Sequence, residues 1–175
     1  MRYNSKPANS NLCLTLTYGV SLWDWYLKGY LSREITYYKR LDELGVNITI
    51  ISYGDSSDFL LKTLLGNIEI IPIYANKNKP KRSFQKALIS IVWPILNYKR
   101  FNKIHVFKTN QVFGGWLPLI LAALNKKKLF VRLGYEPLQN SIKAKNRKLS
   151  LALIWLTSFI VYRAADVILV TSPDI

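Results

Sequence analysis

Two short segments carry the residue types from which a site for a hydroxyl-rich ligand could be built. Lys108-Thr109-Asn110-Gln111 sets a cation beside three hydrogen-bonding side chains. Arg132-Leu133-Gly134-Tyr135-Glu136 sets a cation, a flexible glycine, an aromatic ring and a carboxylate in one short run. Amides and charged groups meet the donors and acceptors of a sugar, and an aromatic ring stacks on its apolar C–H face. A third segment, Thr17-Tyr18-Gly19-Val20-Ser21, has one glycine where a dinucleotide fingerprint has three in G-x-G-x-x-G. Gly19 would let the backbone approach a ligand, and it would serve a simple turn equally well. Tight dinucleotide binding is not expected, and the P-loop lysine motif does not occur.

Other chemistries are weakly supplied. His105 is the single histidine and falls in an apolar run, where a packed, hydrogen-bonded ring is the expectation. A Ser–His–Asp triad would have to use that buried ring. Asp55 and Asp58 flank two serines, but two carboxylates on one loop are too few for a metal site, so no metal is expected. No pair of acids sits near the strand ends in the manner of a glycosidase. Cys13, the single cysteine, reads as a small buried hydrophobe, allows no internal disulfide and suits a reducing compartment.

The elements that would position these segments are legible from hydrophobic patterning. Six runs have the β-branched or aromatic content of strands covered on both faces: Leu12–Thr17, Val46–Ser52, Ile68–Ile73, Ile104–Lys108, Leu129–Leu133 and Val167–Thr171. Helical spacing falls between them. Ile35, Tyr38, Leu41 and Leu44 share a stripe, with Ser32 expected as the N-cap and Gly45 as the stop. Asp58–Leu65 reads as a short helix closed by Gly66. Ser83–Asn97 reads as a helix that Pro94 kinks or ends, and Pro118–Leu124 as one capped by Asn125. Lys145–Ala164 is the longest helical stretch. Strands alternating with helices predict an α/β fold, a Rossmann-like three-layer domain with a parallel sheet of about six strands spanning residues 1–175. Ligands of such sheets bind beyond the carboxyl ends of the strands. That places Tyr18–Trp25, Tyr53–Asp58, Thr109–Gly115, Gly134–Gln139 and Ser172 in the loops of interest.

Charge narrows the partners. The chain has 25 Lys and Arg against 10 Asp and Glu, a net +15, much of it in Lys77–Arg82, Lys126–Lys128 and Lys143–Lys148. Such an excess suits a phosphorylated substrate, an anionic membrane or nucleic acid. Nucleic acid is not expected, because no reading motif occurs and aromatics do not interleave with the basic clusters. Leu12–Thr17 is too short for a secretory signal, and Leu149–Tyr162 falls short of the roughly 20 residues that span a bilayer. The expectation is a cytoplasmic protein resting peripherally on the membrane, with Leu88–Leu96 and Leu149–Tyr162 beside their basic clusters as the contact segments.

The order of these features resembles the N-terminal domain of retaining GT-B glycosyltransferases. The resemblance rests on Gly29 through Arg33-Glu34, Tyr38 to Leu44-Gly45, Val46–Ser52-Tyr53-Gly54, Lys108-Thr109-Asn110-Gln111, Arg132-Leu133-Gly134-Tyr135-Glu136, and Tyr162-Arg163-Ala164-Ala165-Asp166 leading to Thr171-Ser172. It covers nearly the whole chain. It implies transfer of a sugar from a nucleotide-sugar donor to a polysaccharide or lipid-linked acceptor, without a metal or other cofactor. It implies that this domain holds the acceptor, through Gly19, Lys108, Asn110, Gln111, Arg132, Tyr135 and Glu136, and that a C-terminal domain holds the donor. That second domain is not encoded before Ile175, so the resemblance implies an acceptor-side part that is inactive alone. Relatives often have a histidine where Tyr135 and Glu136 stand, and no catalytic residue is assigned. The competing expectation is a basic membrane- or nucleic-acid-binding module of the same fold without catalysis.

Overall fold

A computed structural model describes residues 10–76, 79–134 and 148–170. Six strands form one sheet: β1 (Asn11–Thr15), β2 (Asn47–Ser52), β3 (Glu69–Pro72), β4 (Val106–Thr109), β5 (Lys128–Leu133) and β6 (Val167–Val170). Their order is β3-β2-β1-β4-β5-β6 and every pairing is parallel. Strand runs rich in Ile, Val and Leu, followed by helices, leave this as the economical solution, because parallel neighbours need a crossover that covers a face. The fold is Rossmann-like and three-layered.

Alternation along the strands divides the core in two. Leu14, Ile50 and Ile70 point to one face; Cys13, Ile51, Ile71, Phe107, Leu129 and Val131 point to the other. The first face is covered by α1 (Leu22–Leu27), α2 (Leu31–Glu43) and a 3₁₀ segment, Ser56–Leu61, that runs into α3 (Lys62–Leu65). The second is covered by α4 (Ser83–Asn97), α5 (Trp116–Asn125) and α6 (Lys148–Ala164). Each fully buried Leu or Ile in these clusters contributes about 1.5–3 kcal/mol.

Several local expectations change. Tyr18–Trp25, expected as loop, includes the start of α1: Ser21 Oγ accepts from the Asp24 backbone N–H at 2.9 Å, and the Asp24 carboxylate accepts from the Ser21 N–H at 2.8 Å. Those two residues close a capping box whose spacing was present in the sequence. Ser32 is not the N-cap of α2; the helix starts one residue earlier, and the Ser32 carbonyl accepts from Thr36 Oγ1. Asn125 is the last residue of α5 and not its cap, which is Lys126 in the left-handed conformation (φ 53°). The Asn125 amide donates instead to the carbonyls of Tyr98 and Leu121. Pro94 neither ends α4 nor stays exposed; it is buried, and the helix continues to Asn97. His105 is exposed and lies just before β4, its Nδ1 accepting from the Asn11 backbone N–H at 2.9 Å. It sits at the amino end of the sheet, opposite the loops at the carboxyl ends of the strands.

Candidate functional site

The chain moves outward from β1 to β2 and β3, then returns to place β4 on the other side of β1. The crevice beyond the carboxyl ends of β1 and β4 is the topological switch point of such a sheet. Register decides which side chains reach it. Lys108 pairs with Leu14 on β1 and Phe130 on β5, and Arg132 pairs with Leu169 on β6. Lys108 and Arg132 therefore project from the α2 face, two strand positions apart in phase.

Helix α2 meets them there. Glu34 and Tyr38, four residues apart, lie on one side of that helix, together with buried Ile35. Lys108 Nζ donates to Tyr38 Oη at 2.8 Å. Its 5.4 Å separation from the ring centroid is close to the hydrogen bond plus the centroid-to-oxygen span of a phenol, so the ammonium sits at the rim and not over the π face. Arg132 Nη1 donates to Glu34 Oε2 at 3.1 Å and approaches Asn110 Oδ1 at 3.4 Å. Asn110 Nδ2 in turn approaches Thr17 Oγ1 at 3.4 Å, tying β4 to the loop after β1. Thr109 Oγ1 accepts from the Arg132 backbone N–H at 3.0 Å. Arg33 adds a second guanidinium on Glu34 at 3.0 Å.

Arg33, Glu34, Tyr38, Lys108 and Arg132 line a cleft of about 380 Å³, together with Tyr37 and Leu169. Three cations, Arg33, Lys108 and Arg132, face one carboxylate, Glu34, among its lining residues. Lys108 is 7 % exposed. Burial pushes its ammonium down to about 8, and the Arg132 charge adds to the shift while Glu34 opposes it. Burial likewise pushes the Tyr38 phenol up, so it is neutral across the physiological range. A buried ammonium beside a guanidinium, with a phenol as its hydrogen-bond acceptor, is short of negative charge. A phosphate or diphosphate entering the cleft would supply it.

The residues expected from sequence divide three ways. Lys108 and Arg132 line this cleft, and Asn110 stands behind it against the Arg132 guanidinium. Gly19 occupies an exposed turn (φ +80°) with open space where a side chain would stand, and Gln111 lies outside the cleft with a buried Oε1 that has no hydrogen-bond partner among the described residues. Tyr135 and Glu136 lie outside the described residues. Sequence reasoning missed Glu34 and Tyr38 as site residues; their i, i+4 spacing on the inward side of α2 was the available signal.

Beside the switch point, half-buried Tyr18 packs edge-on against Tyr53 and Phe113 (centroids 5.2 and 5.6 Å) and tilted against Trp116 (5.1 Å). Gly114 permits this: a Cβ there would lie 2.7 Å from the Tyr18 backbone nitrogen. Asp58, weighed above for metal binding, does structural work. Its buried carboxylate accepts from the Leu22 and Trp23 backbone N–H groups at 3.2 and 2.8 Å and from the Ser52 hydroxyl, anchoring the start of α1. Gly54 leaves room for it, since a Cβ at that position would collide with the carboxylate.

The chain matches no protein-family model, no curated protein and no solved structure.

Proposed function

We propose that this chain is the acceptor-holding part of a glycosyltransferase that moves a sugar from a nucleotide-sugar donor to a polysaccharide or lipid-linked acceptor. The observation that carries the reading is the cleft at the carboxyl end of the sheet, where Arg33, Lys108 and Arg132 outnumber Glu34. In this reading Lys108 and Arg132 meet the phosphate of the acceptor, and Asn110 helps hold the Arg132 guanidinium in place. The reaction needs the acceptor hydroxyl held against the donor's anomeric carbon, and positioning of that kind is a large part of the barrier reduction. No catalytic base is assigned to this chain.

Titration calorimetry with polyprenyl-diphosphate-linked glycans and with inorganic diphosphate tests the reading. The expected result is binding of the glycan carrier that Lys108→Ala and Arg132→Ala each weaken at least about tenfold, the loss of a charge-assisted hydrogen bond. Binding of diphosphate and glycan carrier with equal affinity would show an anion site without acceptor recognition and would overturn it.

A further inference from the structure

The helical layer formed by α4, α5 and α6 presents an apolar outer surface set in a basic, acid-poor stretch of chain. Helix α5 packs between α4 and α6, so the outer faces of α4 and α6 belong to one side of the molecule. On α4, Phe84, Leu88, Ile91 and Ile95 follow the i, i+4, i+7, i+11 stripe and are all exposed, Phe84 at 62 %. On α6, Trp155 and Phe159 are both 54 % exposed and stack on each other, centroids 5.6 Å apart and planes 13° from parallel. A core-facing helix turns its apolar stripe inward; these two also turn apolar side chains outward. Contiguous apolar surface of this kind marks an interaction site.

Charge selects the partner. None of the three helices has an Asp or Glu. Between Glu69 and Asp166 the sequence has 18 Lys and Arg and one acid, Glu136. Exposed Lys79, Lys81 and Arg82 precede α4, where the crossover brings the chain to the carboxyl end of the sheet. Burial works against the Asp24 carboxylate, but hydrogen bonds from Ser21 hold it down, and hydrogen bonds from Ser57 hold Asp55 down; the Lys79 charge adds to both, which puts Lys79 near the loops after β1 and β2. Exposed Lys99, Lys126 and Lys128 stand at the opposite end of the same layer. The α4 stripe is thus rimmed by cations at both ends. A second copy of the chain would bring the same positive charge to the contact, and a nucleic acid would leave the stripes against polar backbone. No helix among the described residues is long and apolar enough to cross a membrane.

We infer that the outer face of α4 and α6 docks on an anionic phospholipid surface, with both helices lying in the interfacial plane and the flanking cations on the headgroups. This partner surface lies on the face of the sheet away from the α2 cleft, and its test reads lipid rather than sugar transfer. Its failure and the failure of the transferase reading are therefore separate outcomes.

Flotation of the chain with phosphatidylcholine vesicles, with and without phosphatidylglycerol, is the experiment, followed by tryptophan emission. Recovery should be at least about tenfold greater with phosphatidylglycerol and should fall with added salt. Lys81→Gln with Arg82→Gln should weaken it by on the order of tenfold or more, at roughly fivefold per cation. Phe84→Ser with Leu88→Ser should weaken it at every salt concentration, and Trp155→Phe should remove most of the lipid-induced blue shift. All these positions are exposed, and cooperative unfolding of each variant confirms that it folds; the two-glutamine variant alters no helix residue. Equal recovery from neutral and anionic vesicles would overturn the inference. So would a concentration-dependent dimer, or tighter binding to single-stranded nucleic acid, that the Phe84→Ser, Leu88→Ser variant abolishes.

Discussion

The Lys108 ammonium on β4 donates to the Tyr38 phenol on α2 at 2.8 Å, across 70 residues of sequence. This bond fixes the helix over the carboxyl end of the sheet and holds a cation where water is scarce. Removing only the acceptor, with Tyr38→Phe, strands that cation. Urea unfolding should show a loss of about 1–3 kcal/mol at neutral pH.

The depressed Lys108 value makes stability depend on pH with a definite sign. The folded state holds this proton less tightly than the unfolded chain, whose lysine titrates near 10.5. The unfolded state therefore binds more protons between about 8 and 10.5, and stability rises with pH across that window. Below it the desolvation cost is fully present, on the order of 3 kcal/mol for a shift of this size. Measured against Lys108→Met, the wild type should gain relative stability from pH 7.5 to 10.5. A flat difference would show that the ammonium is not desolvated.

Ligand affinity should carry the opposite dependence. An anion in the cleft favours the charged form of Lys108, so binding takes up a proton as pH passes above about 8 and weakens as pH climbs further. Lys108→Arg keeps its charge throughout this range and should flatten the profile, whatever its affinity at neutral pH. Calorimetry in buffers of different ionisation enthalpy would measure the proton uptake directly.

Two buried features should be costly for different reasons. Asp58→Ala leaves the Leu22 and Trp23 N–H groups and the Ser52 hydroxyl without their acceptor, a loss of about 3 kcal/mol, whereas Asp58→Asn keeps one oxygen and should lose less. Gly114→Ala combines a positive φ of 95° with a Cβ 2.7 Å from the Tyr18 nitrogen, while Gly45→Ala meets only the φ of 89°. Gly45→Ala should cost about 1–2 kcal/mol and Gly114→Ala clearly more, with a changed near-ultraviolet signal from the Tyr18–Trp116 cluster.

On the proposed reading, one wall of a cleft cannot transfer sugar. The 175-residue chain, purified and shown to unfold cooperatively, should neither transfer nor hydrolyse across a panel of sugar nucleotides with lipid-linked acceptors. Robust turnover would show that the reaction class is misread.

Much of the layered fold was already present in one dimension. Ile48–Ile51 and Ile70-Ile71 announce strands buried on both faces, because apolar residues fall on both sides without strict polar alternation, and Gly45 and Gly66 stop their helices because each must take a positive φ. Lys108, Asn110 and Arg132 were identifiable as candidates once they fell at strand ends. What brings Glu34 to Arg132, across 98 residues, is the return of the chain to the far side of β1, and local propensity contains no information about that crossing. The same holds for Asp58, whose role depends on α1 starting beside the loop after β2, and for α4 and α6, whose outward faces align only because α5 packs between them. Periodicity and capping are set by neighbours in the chain; the cleft and the helical face are set by which strands lie side by side.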